Sequence, residues 1–280
     1  MLQLSDHLRA SLPADSAFEA VLRLDGREFR HHKHRRTVRV DFGGRGYFVK
    51  THGPTSWGEI LKNALRARWP VLTSKTEWDA IHALTKLGIP TTPAAGYGVR
   101  GTWPHRLESF LVTEALEGMI HLDELTPKLA ALPASTRVPL VRALIRQIAM
   151  IARKLHTHGL NHRDFYLCHI MICDRNWSQW KPTDNLKLHV IDLHRMQIRR
   201  RTPRRLAIKD ISGLLFSSFD AGLTFTDWLR FLNIYWGADW RTQWSARRWW
   251  RKLVMWRAVT LYRSEHGRLP QLPAGPASSA

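Results

Sequence analysis

Apolar and polar residues alternate through Thr37-Val38-Arg39-Val40-Asp41-Phe42, and strand-like sequence resumes in Tyr47-Phe48-Val49-Lys50 after the turn-forming Gly43-Gly44-Arg45-Gly46. A period of two marks a strand with one buried face. With an earlier strand over Arg27 to His32, entering through the basic turn around His34, the pattern predicts a three-stranded antiparallel sheet that ends in a lysine. The period then changes: Trp57, Ile60, Leu61, Ala64 and Leu65 recur at helical spacing with Lys62, Arg66 and Arg68 elsewhere on the wheel. A basic amphipathic helix is therefore expected over Trp57 to Trp69. A second helix is expected from about Lys75 to Leu87, stopped by Gly88 with Pro90 just beyond.

Pro90 to Gly101 carries loop and strand punctuation, and Ser109 to Glu114 reads as a short apolar strand leading into a hinge. Helical spacing returns from about Val138 to His158 and is closed by Gly159. Two short apolar runs, His169 to Cys173 and Leu186 to Leu193, suit a β-hairpin whose polar connection holds Trp177, Trp180 and Pro182. Beyond the basic stretch Arg199 to Arg205 the pattern is helical to about Arg268, and the small, Pro-rich tail from Pro270 is expected to be disordered. The segments show no internal repeat and imply an α+β fold.

A chain of 280 residues with 44% hydrophobic positions can bury a core without covalent staples. Its two cysteines, Cys168 and Cys173, have a spacing that fits neither a zinc pair nor a redox C-x-x-C, so reduced thiols of a cytoplasmic protein are expected. Residues 1–20 contain Asp6, Arg9, Asp15 and Glu19 and no apolar stretch of signal-peptide type, and no run is long enough to span a membrane. The expectation is a protein that is soluble or lies on a surface. A net charge of +20 implies a polyanionic neighbour: nucleic acid, an anionic membrane or a phosphorylated substrate. Seven of the 13 Trp lie between Trp228 and Trp256, interleaved with Arg230, Arg241, Arg247, Arg248, Arg251 and Arg257. Either these Trp are core, or one helical face sits among anionic headgroups.

The chemistry is carried by Asn161-His162-Arg163-Asp164, between a helix and a hairpin, and by Ile191-Asp192-Leu193-His194 at the end of an apolar run 28 residues later. Phosphoryl transfer needs one carboxylate to orient and deprotonate the attacking hydroxyl, and another to hold the metal that bridges the phosphates of ATP. Upstream, Lys50 on a strand and Glu77 on the following helix suit the phosphate-binding cation and the anion that fixes it. Gly43 to Gly46 reads as a hairpin turn and binds no nucleotide.

Six segments in order, GRGYFVK (44–50), EWDAIHALTKLGIPT (77–91), SFLVTE (109–114), NHRDFYLCHIMI (161–172), VIDLHR (190–195) and KDISGLLFSS (209–218), resemble the lipopolysaccharide core heptose kinases of the Kdo/WaaP (RfaP) family. The resemblance spans roughly residues 26–235 and implies a bilobal protein-kinase-like fold. It would divide the chain into an extension (1–25), an N-lobe (26–116), a C-lobe (117–269) and the tail. It also implies an ATP- and Mg²⁺-dependent kinase, with Mn²⁺ as the other metal considered, acting on a lipopolysaccharide core glycolipid anchored by lipid A. The site of action would be the cytoplasmic face of the inner membrane of a Gram-negative bacterium. On this resemblance Lys50 is the ATP-phosphate lysine, Glu77 its partner, Asp164 the base and Asp192 the metal ligand, all meeting in one cleft, while Glu114 to Leu116 lie against adenine.

Three departures from the protein-kinase pattern stand out. The loop expected over the phosphates, His31-His32-Lys33-His34-Arg35-Arg36, has no glycine, so Arg35 and Arg36 would act by charge. His169 stands five residues after Asp164, where those kinases carry a metal-binding Asn, and it either binds metal or stiffens the loop by a hydrogen bond. Leu193-His194 replaces the usual Phe-Gly after the metal Asp, which argues against an on/off flip. Asp210 either steadies the catalytic loop or caps a helix, and His156 and His162 read as structural. Two alternatives stay open: a Kdo, small-sugar or aminoglycoside-type kinase, and a membrane-associated pseudokinase or binding protein. Nucleic acid is not an expected partner, since no recognisable nucleic-acid module is present.

Overall fold

In the computed structural model, residues 1–32, 35–58, 73–182, 184–237 and 240–272 are described, and they form two compact units. The first comprises Met1–Lys86 and Thr91–Glu117. Its strands are β1 (Leu2–Leu4), β2 (Arg27–His32), β3 (Arg35–Phe42), β4 (Arg45–His52), β5 (Ala94–Arg100) and β6 (Glu108–Glu114). They pair antiparallel in the order β1-β5-β6-β4-β3-β2. The sheet therefore holds six strands where local alternation predicted three, because β1, β5 and β6 join it through non-local pairing. The period of two does its expected work: Val38 and Val40, Tyr47 and Val49, and Phe110 and Val112 share one core.

That core is closed by α1 (Asp6–Ala10) and α2 (Ala17–Leu22), which bury Leu8 and Val21 in it. Residues 1–25 thus form part of the first unit and seal one face of its sheet. On the other face lies α3 (Lys75–Lys86), with Trp78 stacked on Tyr97 of β5 at 5.2 Å between ring centroids. The amphipathic helix expected over Trp57 to Trp69 lies outside the described residues beyond Gly58, as does the chain after Leu272.

The second unit comprises Leu87–Pro90 and the chain from Gly118 onward. Its helices are α4 (Leu122–Ala130), α5 (Ala134–Thr157), α6 (Asp174–Ser178), α7 (Arg204–Ser218), α8 (Phe225–Trp236), α9 (Trp240–Ala246) and α10 (Arg248–His266). Long α5 buries Leu140, Leu144, Ile148, Ile151 and Leu155 along one stripe, the spacing that predicted it. The strands are β7 (Met119–His121), β8 (Leu160–Asn161), β9 (Ile170–Cys173), β10 (Leu188–Val190) and β11 (Gln197–Ile198). The expected hairpin is β9 with β10, joined by β7 as a third strand, while β8 pairs with β11. Among the described residues no helix is long and apolar enough to cross a membrane.

Candidate active site

In the first unit, Lys50 lies on the face of β4 opposite to buried Tyr47 and Val49, and so points to the α3 side of the sheet. Its Nζ donates to Oε1 of Glu77 at 2.5 Å. Glu77 occupies the first turn of α3 and is 6% exposed, so its carboxylate is taken from water and held by one cation. The start of α3 is pinned to the sheet through Ser74. Its N–H donates to Ser109 Oγ (3.0 Å), and its hydroxyl meets His52 Nδ1 (2.9 Å). Arg36 bonds to the Leu24 carbonyl and pairs with Asp25 and Glu28. Glu114 ends β6 with its carboxylate 3.9 Å from Arg45, and the next N–H, from Ala115, donates to the Gly46 carbonyl (2.8 Å).

In the second unit a helix, a short strand pair and a loop deliver Asp164. Gly159 ends α5 with φ +81, and a Cβ there would stand 1.8 Å from the Arg199 carbonyl oxygen, so only glycine allows β8 to meet β11. The loop that follows is seated on α7 by residues at helical spacing. Asp210, buried in the middle of α7, accepts from the N–H of His162 (2.7 Å) and of Arg163 (2.8 Å). Gly213 lets Tyr166 and Phe165 approach, and Ser217 Oγ accepts from the Leu167 N–H at 3.0 Å. Asp210 is the seventh residue of its helix, which removes the capping alternative and leaves the loop-steadying one. His156 Nε2 donates to Asp210 at 3.2 Å, and its Nδ1 accepts from the Tyr235 hydroxyl at 2.7 Å.

His162 is fully buried, and burial pushes its pKa down. The neutral ring donates from Nε2 to the carbonyl of Ile191 at 2.9 Å, which ties the Asp164 loop to the residue before Asp192. Arg163 and Asp192 are the two non-glycine residues with positive φ among those described, at +76 and +59. One flanks Asp164 and the other carries the second carboxylate. Asp164 itself is 13% exposed and accepts from Nη1 of Arg195 at 2.9 Å on both oxygens, with Lys209 Nζ at 4.0 Å.

Asp192 Oδ1 is 2.5 Å from His194 Nδ1, and Oδ2 is 3.5 Å from His169 Nε2. The other nitrogen of His169, Nδ1, donates to the Asp164 carbonyl at 2.7 Å, so the ring stiffens the loop by a hydrogen bond. Burial lowers the His169 pKa, but hydrogen bonds with Cys168 and the Asp164 carbonyl, with the charges of Cys168 and Asp192, outweigh it and raise it to about 9. No group of three or more His, Cys, Asp or Glu converges as a metal cage among the described residues. A single partly exposed carboxylate nevertheless suits Mg²⁺, which is commonly held by one or two carboxylates, water and the phosphates of its substrate.

Residues 19–235 match the model of the lipopolysaccharide kinase (Kdo/WaaP) family. The chain belongs to that family. This Kdo/WaaP family member is 41% identical over 237 residues to the lipopolysaccharide core heptose(I) kinase WaaP of Escherichia coli K12, covering 85% of this chain and 88% of that one. It is 44% identical over 218 residues to the enzyme of the same description from Pseudomonas aeruginosa PAO1, covering 78% and 80%. Among solved structures it is similar to WaaP in complex with acyl carrier protein, with a TM-score of 0.77 and 34% identity over 94% of this chain and 99% of that one. The α+β architecture and the kinase resemblance read from the sequence therefore hold.

Three contributors to the site had no role assigned from sequence: Arg195, Lys209 and Tyr235. Arg195 and Lys209 lie inside the motifs VIDLHR and KDISG, next to the residues that were singled out. The Trp- and Arg-rich segment also resolves. Arg247 lies over the Trp236 ring at 5.4 Å, Arg251 stacks on Trp244 at 3.3 Å, and Trp250 is buried. The exposed stripe of α10 is instead Trp249, Lys252, Leu253 and Trp256.

Proposed function

We propose that this chain is an ATP-dependent kinase that phosphorylates a heptose hydroxyl of the lipopolysaccharide inner core. The observation that carries the reading is Asp164, a carboxylate on a loop clamped from beneath by Asp210 and tied through His162 to the segment of Asp192. Two relatives at 41% and 44% identity, both described as heptose(I) kinases, support the acceptor. The acceptor hydroxyl hydrogen-bonds to Asp164. Its oxygen forms a bond to the γ-phosphorus as the bond to the β-phosphate oxygen breaks, the proton passes to Asp164, and ADP leaves with the bonding pair. Lys50, fixed by Glu77, binds the α- and β-phosphates of ATP, with Arg35 as a further phosphate cation and Glu114 and Leu116 beside adenine. Arg36, expected to share that role, lies on the face of β3 that carries Val38 and Val40, opposite to Lys50, where the Leu24 carbonyl, Asp25 and Glu28 hold it. Mg²⁺, when bound by Asp192 and the phosphates, neutralises charge on ATP, and His169, once neutral, offers Nε2 to a softer ion such as Mn²⁺.

The test is mass spectrometry of core oligosaccharide, still linked to lipid A, after incubation with the purified protein and ATP. Addition of one phosphate to heptose is the expected result. Equal turnover on soluble Kdo or an aminoglycoside would favour the small-sugar alternative, and no turnover on any of these would favour a binding protein.

We further propose that the chain works on the cytoplasmic face of the inner membrane, with the α10 stripe of Trp249, Lys252, Leu253 and Trp256 against anionic headgroups. Trp and Leu flanked by cations favour such an interface. Replacing Trp249 and Trp256 by Ala together with Lys252→Glu is expected to weaken sedimentation with phosphatidylglycerol vesicles about tenfold or more, given roughly 1 kcal/mol per cation near the surface. Unchanged sedimentation would remove this face. As in the solved neighbour, an acyl carrier protein is a proposed partner. Its acyl chain suits the cavity of about 880 Å³ in the second unit lined by Leu144, Ile148, Leu214, Phe231 and Met255. Co-elution with the acylated carrier and not with the unacylated one is the expected result; co-elution with both would exclude the cavity.

A further inference from the structure

Around Asp164 the charges do not balance. Arg163, Arg195 and Lys209 lie close enough to oppose one another's protonation, and two carboxylates, Asp164 and Asp210, face them. Asp210 is already engaged by two backbone N–H groups and His156. Among the described residues the Asp164 carboxylate accepts hydrogen bonds from one nitrogen of Arg195 alone, which leaves the rest of a five-donor guanidinium at 40% exposure. The Lys209 ammonium, at 25% exposure, is 4.0 Å from Asp164, beyond hydrogen-bond reach, and forms no hydrogen bond among the described residues. Burial, followed by the nearby cations Arg195 and Arg163, pushes its pKa down. A half-buried ammonium with undirected donors beside a forked guanidinium is a preorganised place for an anion.

We infer that Arg195 and Lys209 together form the site that receives the transferred phosphoryl group, contacting its equatorial oxygens as it passes to the acceptor. The inference rests on the kinase reading above and extends it. A hydroxyl hydrogen-bonded to Asp164 and poised for attack brings the phosphorus to about 3–3.5 Å from its own oxygen. Donors 2.9 and 4.0 Å from the same carboxylate are then within reach of the phosphoryl oxygens, and small side-chain rotations complete the contact. In the transition state the P–O bond to ADP is largely broken, and the negative charge lies on those oxygens. Arg195 thus has two duties in sequence: it orients the empty carboxylate, and then it shares its donors with the incoming phosphoryl group. Cations whose best partner exists only in the transition state raise turnover more than nucleotide affinity.

The experiment compares wild type with Arg195→Ala, Arg195→Lys, Lys209→Met and Lys209→Arg in two readouts. In turnover, Arg195→Ala and Lys209→Met are expected to lose about 10²-fold in kcat with KM for ATP changed less than about threefold, the loss typical of removing one oxyanion donor. In thermal melting, MgADP with aluminium fluoride, a mimic of the transferring phosphoryl group, is expected to stabilise wild type beyond MgADP alone. Both variants should lose that increment while keeping the one from MgADP, and Lys209→Arg should retain part of it. If Arg195→Ala does not fold, Arg195→Lys and Lys209→Met carry the test. Full kcat, an intact fluoride increment, or a rise in acceptor KM alone would each overturn the inference. Wild type that shows the increment but phosphorylates no core would overturn the heptose reading and leave the anion site standing.

Discussion

Asp164→Asn is expected to reduce phosphate transfer by at least about 10³-fold, near the upper part of the range for a positioned acid or base, while ATP binding stays within about threefold of wild type. The substitution is nearly isosteric. It keeps one oxygen for Arg195 but turns the other acceptor into a donor that faces a guanidinium and an ammonium 2.9 and 4.0 Å away. The loop is seated by the backbone N–H groups of His162 and Arg163 and by Ser217, none of which uses the Asp164 side chain, so the fold survives. Melting temperature and ATP calorimetry read the fold and the nucleotide site, and steady-state transfer reads the base. Near-wild-type turnover would take the role of base from Asp164. Loss of ATP binding would show that the variant had disturbed more than one carboxylate.

Asp210→Asn is expected to destabilise the protein by about 2–4 kcal/mol and to cut turnover by about 10²-fold, without contact between residue 210 and substrate. The buried carboxylate accepts three hydrogen bonds, two from backbone N–H groups and one from His156. An amide has one carbonyl oxygen, so whichever way it turns, a donor meets a donor. The cost is that of a buried N–H left unpaired, in a loop that already holds Arg163 at φ +76. Thermal melting and kcat together test this. Wild-type values for both would mean that the loop does not depend on its seat, and a melting loss without a kinetic one would separate stability from positioning.

Much of the site was legible because its parts are local. The alternation at Val38 to Phe42, the stop at Gly88, the helix before Gly159 and the β9–β10 pairing are written within stretches of a few turns or strand lengths. So are the neighbours of Asp164 and Asp192. What was missed is non-local. Nothing near Leu2 to Leu4 announces that it will pair with Tyr97 and Gly98, and Leu8 and Val21 enter the core from helices too short to show a clear period. Arg195 and Lys209 were hidden for another reason. In a chain with 43 Lys and Arg, a single cation carries no contrast, and only tertiary contact shows which of them faces a carboxylate. The same holds for Arg247 and Arg251, whose positions over neighbouring Trp rings only the folded chain reveals.

The two left-handed residues, Arg163 and Asp192, set a limit on how far this enzyme can be hardened. Each holds a conformation that costs an ordinary side chain about 1–2 kcal/mol, and a screen that rewards heat tolerance alone would favour glycine at both. Glycine at 192 deletes a carboxylate outright, whereas glycine at 163 spares every acid and only loosens the backbone of the loop that carries Asp164. Position 192 is therefore where selection for robustness and selection for speed pull hardest in opposite directions, and position 163 is where the two can be traded by degrees.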